Sequence, residues 1–285
     1  MQTRRLEANG LTFAADVSGS GDTVALLLHG FPEGRGAWRR QLEALPSLGW
    51  TVAAPDLRGY GDSSRPPGKA AYRIESLVQD VAGLFDALGA RRRVLIGHDW
   101  GGVIAWQAAI RKLPLDGLVI LNAPHPAVFR RVIRTAEQRG LSWYVLLFQL
   151  PFLPELMLTR NGGKALAALL RRQCPRFPSE LLDTYARNIA RPGAASAMLN
   201  YYRANAFELV GQPDPKDSIG CPTLMIWGDK DIALSRSLTE GNEAFVADFT
   251  LRRLPEASHW VLEDEPAAVN QAIEDWARAK GPAAL

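Results

Sequence analysis

Gly97-His98-Asp99-Trp100-Gly101 sets an aspartate at the centre of a G-x-D-x-G spacing. Glycines on either side let a strand turn sharply into a helix and lift the central side chain clear of the sheet, which presents Asp99 as a nucleophile. An aspartate, with an ordinary pKa of about 3.9, is ionised at neutral pH and attacks without the help of a base. A carboxylate is a poor nucleophile toward an ester or amide but adequate toward a strained or leaving-group-bearing sp³ carbon, and such an attack leaves a covalent ester. The same spacing also suits an ordinary N-cap aspartate after a glycine turn.

Breaking that ester needs a base and donors for the tetrahedral oxyanion. His29-Gly30-Phe31-Pro32 follows an apolar run. In an elbow arrangement this loop gives one N–H and the residue after the nucleophile gives the other, which assigns the donors to Phe31 and Trp100. The chain has four histidines. His29 lies in the oxyanion loop, His98 sits beside Asp99 and His125 falls between two prolines, so His259 is left as the base. Asp229 and Asp231 both follow the 223–227 run, and either could orient the imidazole. Asp231 is preferred, because Asp229 directly follows Gly228 and reads as a turn aspartate bonding its own backbone, whereas Asp231 lies farther toward the loop tip. Cys174 and Cys221 form no metal-ligand spacing, and no metal site is expected.

These groups have to be held by a regular frame. Apolar runs at 23–28, 50–55, 94–97, 117–121 and 223–227 read as strands buried on both faces. Between them lie helical patterns, such as 74–88 with Leu77, Val81, Leu84 and Phe85 on one side, and 103–110 after the paired glycines. Thr250 to Leu254 reads as the last strand, and the final helix starts at about Pro266. The alternation predicts an α/β fold, a mostly parallel sheet with helices on both faces. From about Pro126 to Gln212 the strands vanish, which predicts a helical cap at 126–212, between the fifth and sixth strands of the parallel run, dividing a core of 1–125 and 213–285. In such sheets ligand groups gather past the carboxyl ends of the strands, where the candidate residues fall.

The 285 residues are 47% hydrophobic and 22% charged, enough for a large core and unlike disordered or fibrous chains. Lys and Arg number 33 against 30 Asp and Glu, a net +3, so a nucleic-acid partner is not expected. No run reaches the roughly 18 apolar residues of a membrane span, and no apolar stretch follows the two N-terminal arginines; a cytoplasmic protein, monomer or homodimer, is the expectation.

The motifs His29-Gly30-Phe31-Pro32-Glu33, Asp56-Leu57-Arg58-Gly59-Tyr60-Gly61-Asp62-Ser63 and Gly97-His98-Asp99-Trp100-Gly101-Gly102 resemble those of the α/β-hydrolase-fold epoxide hydrolases related to the vertebrate soluble enzyme. Nucleophile, acid, then histidine is also the chain order of that fold. The resemblance covers nearly the whole chain and implies an α/β-hydrolase fold, no cofactor, and a small apolar epoxide and water as reactants, giving a vicinal diol through an Asp99 ester. In that family two cap tyrosines bind the epoxide oxygen, and segments 142–149 and 199–203 resemble the tyrosine-bearing ones, which implies Tyr144 and Tyr202. Without the resemblance, Tyr144 reads as a core aromatic and Tyr202 has no advantage over Tyr201. A haloalkane dehalogenase would use the same Asp–His–Asp set, but its halide donors include an Asn in the oxyanion loop, where this chain has Phe31, or a second Trp in the cap. A non-catalytic ligand-binding homologue is the remaining alternative.

Overall fold

The apolar runs become central strands because helices cover both of their faces. The computed structural model describes residues 1–211 and 219–281. Its strands are β1 (Gln2–Ala8), β2 (Leu11–Ser18), β3 (Thr23–Leu28), β4 (Thr51–Pro55), β5 (Arg92–His98), β6 (Gly117–Leu121), β7 (Thr223–Gly228) and β8 (Phe249–Leu254). The described residues form one eight-stranded sheet in the order β1-β2-β4-β3-β5-β6-β7-β8. From β4 to β8 every pairing is parallel, while β1 and β2 make an antiparallel hairpin whose second strand runs antiparallel to β4.

Strand residues alternate between two cores. Leu26, Leu28, Leu95 and Ile120 face one layer together with Leu77, Val81 and Phe85 of α2 (Ile74–Ala87) and Ile104 and Trp106 of α3 (Trp100–Ile110). Ala25, Leu27, Ile96 and Val119 face the other with Leu42 of α1 (Arg39–Ala44) and, after β8, the short α11 (Val261–Asp264) and the closing α12 (Pro266–Lys280), whose Val269, Ile273 and Trp276 pack there. Truncating a fully buried leucine such as Leu26 to alanine is expected to cost about 2–5 kcal/mol. Between β6 and β7 stand α4 (Pro126–Val132), α5 (Ala136–Leu141), α6 (Trp143–Phe148), α7 (Leu153–Thr159), α8 (Lys164–Gln173), α9 (Ser179–Ile189) and α10 (Ala194–Gly211).

Three expectations need correcting. The N-terminal hairpin is absent from the sequence reading. The helical insertion falls between the fourth and fifth strands of the parallel run, β6 and β7, and not between the fifth and sixth. Helix α3 begins at Trp100, so the paired glycines lie inside it. The expected cap end at 212 and core restart at 213 lie outside the described residues. Among the described residues no helix is long and apolar enough to cross a membrane.

Candidate active site

The chain runs from β3 outward to β4 and then crosses back to β5 on the other side of β3, so the connections diverge between β3 and β5. A crevice opens at the carboxyl ends of strands at such a point. The register pairs Leu28 with Gly97, which brings the residues just beyond them, Gly30, Phe31 and Asp99, together. The turn into α3 is too tight for side chains: a Cβ on Gly97 would lie 2.2 Å from the Gly101 carbonyl oxygen, and one on Gly101 2.0 Å from that of Leu28. Asp99 itself takes φ 50°, ψ −117°, a conformation L-residues rarely hold, and its side chain makes no cap hydrogen bond. Its Oδ1 instead accepts the Phe31 N–H at 2.8 Å. The ordinary N-cap reading is thereby corrected. As the first residue of α3, Trp100 has a backbone N–H without a partner four residues back in the helix.

Beyond β8, His259 is buried with its Nε2 3.6 Å from Asp99 Oδ2 and its Nδ1 2.7 Å from Asp231 Oδ2. That second oxygen also accepts from Asn122 Nδ2 at 2.7 Å, while Asp231 Oδ1 accepts the N–H groups of Ala233 and Leu234. The Asp231 side chain is therefore enclosed, and it performs the turn bonding expected of Asp229, whose carboxylate instead pairs with Arg253. Asn122, just past β6, was not anticipated; it also accepts the Gly228 N–H and so ties β6 to the acid loop. Its position at a strand end was the available signal. Burial alone would lower the pKa of His259, but the Asp231 charge and hydrogen bond, with Asp99 opposite, carry it well above the ordinary 6.5. Burial would raise Asp99, yet His259, His98 and the Phe31 N–H outweigh it and hold the carboxyl below the ordinary 3.8.

The other histidines are fixed elsewhere. His29 accepts the Leu57 N–H, and His125 accepts the Ala127 N–H and stacks on Phe245 at 4.2 Å. His98 bridges two parts of the site, with Nδ1 2.9 Å from Glu33 Oε2 and Nε2 2.9 Å from the His259 carbonyl oxygen. Glu33 Oε2 also accepts the Gly30 N–H, at 3.2 Å.

A cavity of about 450 Å³ lies over Asp99, walled by Trp100 and by residues of the helical insertion that include Tyr144 and Tyr202. Their rings stand 6.1 Å apart, and Tyr202 packs edge-on against Trp100 at 5.0 Å. Tyr201, one residue earlier on α10, is turned by the roughly 100° helical step onto a different face, where its hydroxyl donates to the Arg58 carbonyl at 2.9 Å. The structure thus separates two tyrosines that the sequence could not. Burial, then the nearby Asp99 charge, pushes the phenols of Tyr144 and Tyr202 above the ordinary 10, so both remain proton donors. Among the described residues no cluster of three metal-ligating side chains forms.

Residues 24–266 match the α/β hydrolase fold family. Mouse epoxide hydrolase 4 is 37% identical over 287 residues, spanning 97% of this chain and 78% of that protein. An AB hydrolase superfamily protein of Bacillus subtilis, YfhM, is also 37% identical, over 95% of this chain and 96% of its own. A solved structure of an epoxide hydrolase from metagenomes of hot environments superposes with a TM-score of 0.86 at 33% identity, covering 97% and 98% of the two chains. With the fold, the strand-end cluster and these relatives in agreement, the chain belongs to the α/β-hydrolase-fold family and, within it, to the epoxide hydrolases.

Proposed function

We propose that the protein adds water to an epoxide, giving a vicinal diol, through a covalent ester on Asp99. The observation that carries this reading is the setting of one ionised carboxylate, with Oδ1 on the Phe31 N–H and Oδ2 unbonded, at the floor of an apolar cavity that also holds two phenols. Asp99 Oδ2 attacks a ring carbon; the new C–O ester bond forms as the strained ring C–O bond breaks, and the leaving oxygen takes a proton from Tyr144 or Tyr202. His259, oriented by Asp231, then takes a proton from water, and the hydroxide adds to the Asp99 carbonyl carbon. The N–H groups of Phe31 and Trp100 stabilise the oxyanion. Collapse expels the diol oxygen, which collects its proton from the imidazolium. The proton released when Asp99 ionises again restores the tyrosine, so one epoxide and one water are consumed.

The helical insertion serves as the cap that closes the cavity and excludes bulk water. Replacing His259 with Gln tests the scheme, because alkylation does not use His259 and hydrolysis does. Incubated with an aryl epoxide, the variant is expected to gain the mass of the whole epoxide on the peptide containing Asp99. A haloalkane would leave an adduct lacking the halogen. No addition, with an active wild type and demonstrable binding, refutes the division of labour between Asp99 and His259.

A further inference from the structure

The net charge of +3 hides a strong segregation. Residues 126–206 carry twelve Lys and Arg against four Asp and Glu, a local +8, which leaves the remainder of the chain at −5. The same segment gathers the exposed apolar side chains: eight of the eleven large hydrophobic residues exposed among the described residues lie within 143–169. Trp143 is 62% exposed, Leu146 74%, Phe152 83% and Leu156 69%. Phe152 also holds φ 64°, ψ −38°, a backbone conformation that L-residues rarely adopt, with its ring in the open.

This face is built, not frayed. Arg203 of α10 donates to the carbonyls of Phe148 and Leu150 and pairs with Glu155, which fixes the end of α6, the following turn and α7 relative to one another. It also borders the cavity, for Leu146 and the exposed Arg139 line the pocket and reach the surface. Arg134, Arg139, Arg160 and Lys164 are exposed, and among the described residues none has an ion-pair partner. Exposed apolar side chains concentrated in one segment in this way mark interaction surfaces, and their combination with unpaired cations matches the interface of an anionic bilayer, where aliphatic and aromatic groups enter the headgroup boundary and Lys and Arg meet phosphate. A second copy of the chain would oppose like charge with like, and a nucleic acid would leave the apolar side chains unused.

We propose that the face formed by residues 139–164 docks on an anionic lipid surface and that the adjoining cavity mouth takes its substrate from that surface. The delivery half rests on the epoxide reading of the cavity; the docking half does not. The test is cosedimentation of the full chain with vesicles of phosphatidylcholine plus phosphatidylserine, and with phosphatidylcholine alone. Binding is expected only to the anionic vesicles, to weaken with salt, and to fall about fivefold for each charge removed in Arg160→Gln and Lys164→Gln. Phe152→Asn with Leu156→Gln should lose vesicle binding while keeping full turnover of a water-dissolved epoxide. Docking is overturned if the active wild type stays in the supernatant, or if this double variant binds as tightly as wild type. It is equally overturned if light scattering shows a dimer that the double variant dissolves, which would make a second copy the occupant. Vesicle binding without turnover of any epoxide, dissolved or membrane-held, would uphold docking and sink delivery.

Discussion

Glu33 is expected to be the residue whose loss damages both halves of the site at once. Its buried Oε2 accepts the Gly30 N–H of the oxyanion loop at 3.2 Å and faces His98 Nδ1 at 2.9 Å, and His98 in turn holds the His259 carbonyl at 2.9 Å. A carbonyl oxygen only accepts, so His98 Nε2 carries a proton and both ring nitrogens are engaged. Glu33→Leu removes the acceptor of the buried Gly30 N–H and the hydrogen-bond partner of the buried His98 Nδ1, each of which costs about 1–3 kcal/mol when left unsatisfied. The expected loss is about 3–5 kcal/mol, a large fraction of the roughly 5–15 kcal/mol that keeps a domain folded, and a fall in Tm on the order of 10 °C. Glu33→Gln keeps one acceptor oxygen and should lose less than half as much. Urea unfolding followed by tryptophan fluorescence gives the free energies, and single-turnover kinetics report whether alkylation and ester hydrolysis both slow. A Glu33→Leu protein within about 1 kcal/mol of wild type would refute the reasoning.

Tyr144→Phe and Tyr202→Phe should each slow alkylation while the other hydroxyl still donates, with loss of both costing about 10²–10⁴-fold. Tyr201→Phe, which deletes the bond to the Arg58 carbonyl, should cost about 1 kcal/mol of stability and leave turnover nearly unchanged; the reverse pattern would overturn the assignment. The pH profiles of the two half-reactions should part. Asp99 is held below its ordinary value, so alkylation should persist into acid, whereas hydrolysis needs a neutral imidazole, whose protonated form Asp231 still favours after Asp99 is esterified, and should fail first as pH drops; quench-flow over a pH series checks this. The same raised histidine value makes a linkage prediction. His259 stabilises the folded state fully below about pH 6.5 and loses that contribution as pH rises through its higher folded value. His259→Gln should therefore flatten the decline in unfolding free energy on the alkaline side, and an unchanged slope would count against the assignment.

The central strands were legible because burial on both faces writes itself as an uninterrupted apolar run, as in the fully buried β3. Edge strand β1 was not. Its Gln2, Thr3, Arg4 and Arg5 are exposed and only Leu6 and Ala8 are buried, so neither alternation nor an apolar run marks it. Asp99 and His259 stand out by spacing and by elimination among four histidines, and the fold brings their side chains to within 3.6 Å. Asp231 is the carboxylate that touches His259, but the turn bonding that sequence reasoning gave to Asp229 is made by Asp231 itself. Asn122 escaped because its two hydrogen bonds join β6 to the loop after β7, a relation made only when the sheet assembles. The segregated charge of the insertion was countable from the sequence, yet it acquires meaning only beside the exposed apolar side chains, and exposure is a property of the folded chain.

Two aspartates sit within reach of one imidazole, and their hydrogen bonds divide the proposed labour between them. Asp231 is saturated: His259 Nδ1 and Asn122 Nδ2 occupy one oxygen, and the N–H groups of Ala233 and Leu234 occupy the other. With its lone pairs engaged and its side chain only 1% exposed, it can orient a ring but cannot reach an electrophile. Asp99 has a single fixed donor, the Phe31 N–H on Oδ1, which leaves Oδ2 uncommitted and 3.6 Å from His259. That spacing is too long for a good hydrogen bond, so the attacking oxygen keeps its lone pairs for the substrate. Charge then orders the steps. While Asp99 is anionic, both carboxylates favour the protonated imidazole, the form that cannot act as a base. In the proposed reaction esterification moves the charge from the carboxylate beside Nε2 to the phenolate that gave its proton, the imidazole gives up its proton more readily, and the base becomes available only once there is an ester to hydrolyse.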